Sequence, residues 1–168
     1  MNHLVGRKLP DVSLRATDGG NVNPALLSGR AVIFCYPYTG RPGIPDPPDW
    51  DDIEGAHGST PQAIAFSKAC DVYQIQNIRI FGLSFQTYDW QLEFAHRANL
   101  RVSLLSDHHR IFADALGLPR FKAGQHDYLA RLTIMSKDGI ITGIRYPIPV
   151  PAEDAMTVLK LISDLDAT

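Results

Sequence analysis

Gly58-Ser59-Thr60-Pro61-Gln62-Ala63-Ile64-Ala65-Phe66 opens a helical pattern some twenty residues after an apolar run that ends at Tyr36-Pro37. Ser59-Thr60-Pro61-Gln62 reads as a capping box, in which a serine oxygen and a glutamine side chain satisfy the free donors of a helix start. Alternatively Thr60 caps and Pro61 takes the first helical position. Either device stabilises a helix by about 1 kcal/mol and explains these residues without catalysis. The helical spacing continues to Ile75 and marks Ile64, Phe66, Val72, Tyr73 and Ile75 as core candidates. The run before it, Arg30 to Tyr36, is apolar without alternation, as in a strand buried on both faces of a sheet.

The remaining segments alternate in the same way. Asp11 to Ala16 is predicted as an edge strand, Arg79 to Ser84 as a second buried strand, and Leu104 to Ser106 as a third. Helices are expected over Asp89 to Ala98 and Arg110 to Leu116, the second stopped by Gly117. Leu129 to Ser136 and Ile140 to Tyr146 flank Lys137-Asp138-Gly139, a hairpin signal. Ala152 to Leu165 is an amphipathic helix with Ala155, Val158, Leu159 and Ile162 inward. Alternation implies parallel strands and the hairpin adds an antiparallel pair. The expected class is α/β: a thioredoxin-like fold with a mixed central sheet flanked by helices, as one domain over residues 1–168.

Composition narrows the function classes. Apolar residues make up 45% and charged residues 20% of 168, values of an ordinary globular protein. A net charge of −2 gives no electrostatic reason to expect nucleic acid. No apolar run approaches the roughly 18 residues of a membrane span. Met1 to Lys8 lacks the apolar stretch of a signal peptide, so a cytoplasmic location is expected. Two cysteines, Cys35 and Cys70, make no disulfide framework, although a pairing between them stays open. Gly40 to Asp52 is crowded with proline and aspartate, which excludes helix and central strand. It reads as a stiff surface loop anchored by Trp50 and Ile53, and it leads into Ser59.

Several short segments together resemble the peroxiredoxins, in particular the bacterioferritin-comigratory (Q-type) branch. Leu9-Pro10-Asp11 is similar to the family's N-terminal segment, and Phe34-Cys35-Tyr36-Pro37 to its Phe-x-Tyr-Pro strand end. Gly82-Leu83-Ser84 and Leu104-Leu105-Ser106-Asp107 match two further segments, and the resemblance covers nearly the whole chain. It implies a peroxidatic cysteine where Ser59 stands, a resolving cysteine in some members where Ile64 stands, and an active-site arginine at Arg131. Some relatives carry a Pro-Gly-Ala-Arg-Gly-Cys-Thr-Pro-Gln-like stretch. Against it, Glu54 replaces proline, His57 replaces arginine and Ser59 replaces cysteine. Ala56 stands where many members carry threonine.

A peroxidatic thiolate attacks the O–O bond and becomes a sulfenic acid. A helix start and a neighbouring arginine favour the thiolate. A serine hydroxyl is scarcely ionised near neutrality and cannot form a sulfenic acid. The candidate site is therefore Ser59 and Arg131, with Thr60, His57, Glu54, Tyr36, Pro37 and Trp50 as binding residues. His57 lies two residues before Ser59, so a nucleophile–base contact is open to it, although a solvent-facing histidine explains it as well. Glu54 either stays in water or pairs with Arg131 and neutralises the site. Asp107-His108-His109 is read as surface, not as a metal site, and no cofactor is expected. Cys35 is a buried small hydrophobe, and Cys70 lies roughly 16 Å along the helix from Ser59.

Three functions fit these residues. The chain is a peroxiredoxin-like protein without its thiol, its pocket reused for a peroxide-like or carboxylate ligand. Alternatively it is a one-cysteine peroxidase carrying an engineered Cys-to-Ser change at Ser59. The third is a non-redox enzyme using Ser59, His57, Glu54 and Arg131. The additional changes at Ala56, Glu54, His57 and Ile64 favour natural divergence. A homodimer is left open.

Overall fold

The computed structural model describes residues 1–167. Its centre is β3 (Arg30–Cys35), the strand whose unbroken apolar character marks it as doubly buried. Ala31, Ile33 and Cys35 face one core, and Val32, Phe34 and Tyr36 the other. β3 pairs in parallel with β4 (Ile78–Ser84) and antiparallel with β8 (Leu132–Lys137). Beyond β4 come β5 (Ser103–Ser106), β1 (Leu14–Ala16) and β2 (Asn21–Val22), and beyond β8 comes β9 (Ile140–Arg145). The result is a mixed seven-stranded sheet in the order β2-β1-β5-β4-β3-β8-β9. Phe66, Tyr73, Phe94, Val158 and Ile162 pack on one face, and Leu4, Leu9, Phe112 and Leu116 on the other.

The expected single helix is two: α1 (Ser59–Lys68) and α2 (Cys70–Ile75), with Ala69 between them. Phe66 and Tyr73 are buried as predicted, but Ile64 is only partly so, Val72 is 42% exposed and Ile75 82%. Polar Gln62 and Ser67 take inward positions that the apolar pattern assigned to aliphatic residues, because each has a hydrogen-bond partner there: buried Asp154 for Gln62 and the Arg101 N–H for Ser67. The helices α3 (Tyr88–Arg97), α4 (Ile111–Leu116) and α5 (Asp154–Asp166) lie within a residue or two of their expected bounds.

One expected strand is divided. Leu129 to Ser136 splits into the end of β7 (His126–Leu129) and β8, and β7 pairs with β6 (Arg120–Ala123) in a separate hairpin. The turn is Gly124-Gln125, with Gly124 at φ 62°. A two-residue glycine-containing turn between short strands is a hairpin signature, and it was the available clue to this element. The division leaves Arg131 immediately before β8, whose Leu132 pairs with Cys35 at the end of β3. The sheet thus delivers Arg131 to the end where α1 begins.

Candidate functional site

The start of α1 departs from the capping expectation. Gly58, not Ser59 or Thr60, occupies the cap at φ 115°, and no side chain caps the helix. The Gln62 N–H bonds the Gly58 carbonyl at 3.0 Å, so Ser59 is already within the first turn. Glycine is required here for two reasons. A side chain rarely adopts this φ, and a Cβ at Gly58 would stand 2.5 Å from Pro151 Cγ. Pro151 opens the short helical turn that packs against α1. That contact leaves no room for a side chain at the cap.

Ser59 is 3% exposed, and its Oγ has no hydrogen-bond partner among the described residues. Arg131 is 5% exposed. Its Nη1 donates to Gln62 Oε1 at 2.7 Å, and its Nη2 reaches the carbonyls of Ala56 and His57, each at 3.1 Å, and of Gly55 at 3.4 Å. The guanidinium therefore fastens the strand of loop that feeds Ser59 into α1. Its Nε is buried without a partner. Burial lowers its pKa to about 10, with nearby Asp154 opposing the shift, so it stays charged at neutral pH.

Behind Arg131 lies a buried polar relay that sequence reasoning missed. Gln62 Nε2 donates to Asp154 Oδ2 at 2.9 Å, and Thr133 Oγ1 donates to the same oxygen at 2.6 Å. Arg145 Nε approaches Asp154 Oδ1 at 3.1 Å. Gln62 thus accepts from the cation and donates to the carboxylate, holding both in one orientation. Burial raises the Asp154 pKa, opposed by Thr133 and Gln62 and by the two arginines. The sequence clue was Gln62 itself, an amide on the inward face of a helix, where burial demands partners.

The other expected site residues are dispersed. His57 is 56% exposed, and its Nε2 meets Asp51 Oδ1 at 2.5 Å, so it does not serve Ser59 as a base. Glu54 is exposed and makes no ion pair with Arg131 among the described residues. Thr60 is exposed on the outer side of the first turn. Tyr36 is wholly buried in the core; Gln91 Nε2 donates to its hydroxyl at 3.3 Å, and burial pushes its pKa up to about 12. Trp50 is 4% exposed and packs with Ala56 and Ala123, its ring 5.1 Å from Tyr128 and 5.7 Å from Phe121. It anchors the proline-rich loop and does not wall an opening. Pro37 is buried and lines a cleft of about 390 Å3 that Ser59 and Arg131 do not line.

Neither cysteine is at the start of α1. Cys35 and Cys70 are both free thiols. Cys35 is fully buried, and burial with nearby Asp107 drives its pKa up, which makes it inert. The Asp107 carboxylate accepts from the N–H groups of Phe112 and Ala113, each at 3.0 Å. No cluster of metal-ligating side chains is found among the described residues.

The sequence matches the Redoxin family over residues 4–159. The chain belongs to the Redoxin family. No curated protein matches this redoxin in sequence. Its structure resembles that of a cysteine-to-serine mutant of Xylella fastidiosa PrxQ, with TM-score 0.76, 17% identity and 95% of each chain covered. It also resembles Xanthomonas campestris bacterioferritin comigratory protein, described for alkyl peroxide reduction, with TM-score 0.72 and 18% identity over 94% of this chain and 96% of that one. For the peroxidoxin BcpB of Mycobacterium tuberculosis the values are 0.69 and 20%, over 94% and 97%. The redoxin thus has the thioredoxin-like fold of the Q-type peroxiredoxins, with Ser59 as the first residue of α1 and both of its cysteines elsewhere. No helix among the described residues is long and apolar enough to cross a membrane.

Proposed function

We propose that this redoxin is not a thiol peroxidase and that Ser59 and Arg131 bind a small oxyanion or carboxylate. The observation that carries this reading is a pair of orphans. Ser59 Oγ and Arg131 Nε are both buried and both lack a protein partner. A buried polar group without a partner costs about 1–3 kcal/mol, and a ligand oxygen accepting from it removes that cost. The backbone N–H groups of the first turn of α1 add positive potential. Exposed Glu54 leaves the charge of Arg131 available, and the pairing of His57 with Asp51 argues against Ser59 as an activated nucleophile. Because both Nη atoms of Arg131 are engaged, the ligand is small, on the scale of formate.

Titration calorimetry with sodium formate tests this. Binding is expected in the unmodified protein and its loss in Ser59→Ala; absence of binding in the unmodified protein would overturn the reading. A second expectation concerns redox chemistry. With dithiothreitol as reductant, the unmodified protein should consume no hydrogen peroxide through position 59, and Ser59→Cys should turn over slowly. There the thiolate would attack one peroxide oxygen, the O–O bond would break with release of water, and external thiol would reduce the sulfenic acid, since Ile64 supplies no second sulfur. Rapid turnover by Ser59→Cys would support the alternative, a one-cysteine peroxidase carrying an engineered change, for which the burial of Arg131 against the loop that leads into Ser59 speaks.

A further inference from the structure

The cleft of about 390 Å3 lies at the same end of the sheet, between the chain following β3, the turn before α3, the turn before α4 and the β6–β7 hairpin. Its walls are aromatic. The rings of Tyr38 and Trp90 are 5.8 Å apart, and Tyr128 stands edge-on to Tyr38 at 6.0 Å. These walls are held before any ligand arrives. Gln86 Oε1 accepts from the N–H and hydroxyl of Thr39, its Nε2 donates to the Thr39 carbonyl, and Trp90 Nε1 donates to that carbonyl at 2.7 Å. Aromatic rings fixed in this way contribute contact area at little cost in conformational entropy.

The cleft has an arginine outside any ion pair, although its charge is felt by nearby Asp107. Arg110 makes no ion pair among the described residues, and its guanidinium lies 4.7 Å over the Phe85 ring, with Nη1 donating only to the His108 carbonyl at 3.3 Å. Its backbone is left-handed, at φ 62° and ψ 16°. For a non-glycine residue that conformation costs of order 1–3 kcal/mol, and such strain persists where the surroundings over-determine it. Here they do: the Arg110 N–H bonds the Asp107 carbonyl at 2.9 Å, and the Asp107 carboxylate holds the next turn. The acid that lines the cleft, Asp127, is met by Lys122 at 3.3 Å and so opposes an anion only weakly.

We infer that this cleft binds a planar aromatic carboxylate, its ring among Tyr38, Trp90 and Tyr128 and its carboxylate on Arg110. The two requirements are separable. An apolar but non-planar acid keeps the ion pair and loses the stacking, while a neutral aryl compound keeps the stacking and loses the ion pair. The cleft is independent of the Ser59 site, because neither Ser59 nor Arg131 lines it.

The test is calorimetry with three probes: trans-cinnamate, cinnamyl alcohol and 3-cyclohexylpropanoate. Cinnamate is expected to bind at least about tenfold more tightly than either of the others. Arg110→Asn should bring cinnamate to the level of the alcohol, since asparagine tolerates the left-handed backbone while removing the charge. Absence of cinnamate binding at millimolar concentration, equal affinity for the saturated acid, or unchanged affinity in a folded Arg110→Asn protein would each overturn the inference. Should that variant fail to fold, the comparison of cinnamate with its alcohol in the unmodified protein still decides. Excess formate should leave cinnamate affinity unchanged, and competition between them would overturn the independence of the two sites.

Discussion

The surroundings of Ser59 and the aromatic cleft stand at the same end of one sheet and are built on opposite terms. The first is buried and polar. Its cation, Arg131, is 5% exposed and commits both Nη atoms to Gln62 and the loop carbonyls. The second is open and aromatic, and its cation, Arg110, has a single weak hydrogen bond. Arg131 is therefore chiefly a fastener with one N–H to spare, whereas Arg110 is a fastened residue with its charge to spare. An arginine at a site is informative only once its donors have been counted.

The largest effect that would test this contrast comes from Arg131→Ala. It leaves Gln62 Oε1 and the loop carbonyls of Ala56 and His57 without their donor, while Asp154 keeps Arg145; at about 1–3 kcal/mol for each stranded buried group, stability should fall by about 3–5 kcal/mol, read from urea denaturation. Removing the side chain thus cannot report on anion binding alone. Arg110→Asn should change stability by less than about 0.5 kcal/mol. Equal losses at the two positions would break the comparison.

Gly58→Ala comes next. The added methyl group meets Pro151 at 2.5 Å in a backbone conformation unfavourable for alanine. A loss of about 1–3 kcal/mol is expected from thermal melts, with Ser59 displaced from its buried position and formate binding lost as well.

Ser59→Ala should be neutral or stabilising by up to about 1 kcal/mol, because it removes a buried hydroxyl that has no partner. If Ser59 capped the helix, the same change would instead cost about 1 kcal/mol. The sign of this small effect, measured by denaturant midpoint, separates the two roles.

The smallest effect concerns pH. Burial raises the Asp154 pKa in the folded state, so folding favours its protonated form. Its contribution is then fullest below the ordinary aspartate value of about 3.9 and declines as pH rises through the folded value. The difference in melting temperature between the unmodified protein and Asp154→Asn should therefore shift in favour of the unmodified protein as pH is lowered from 7 toward about 4. A constant difference would mean that the flanking arginines keep Asp154 ionised throughout.

Much of this architecture was legible in the residues. Arg30 to Tyr36 is apolar toward both faces, and nothing but the middle of a sheet buries such a strand completely. The alternation of strand and helix implied the parallel pairing of β3 with β4, and Ser59 stood at the start of a helix as its flanking segments required. What one dimension could not supply was the direction of each polar side chain. Serine, threonine and glutamine at a helix start read as a capping box because local hydrogen bonds are the nearest available. Pro151, distant in the chain, packs where a side chain at the cap would stand, so glycine occupies the cap, and Ser59 and Gln62 are buried. Val72 and Ile75 are outside because the helix is interrupted at Ala69, so the spacing read from Ser59 does not carry through to α2. Periodicity determined which elements form and in what order, because backbone geometry and apolar burial are local and repetitive. The donors left to Arg131, the idle charge of Arg110 and the orphaned hydroxyl of Ser59 were decided only by contacts between residues far apart in the chain, where hydrogen-bonding capacity is satisfied or left over.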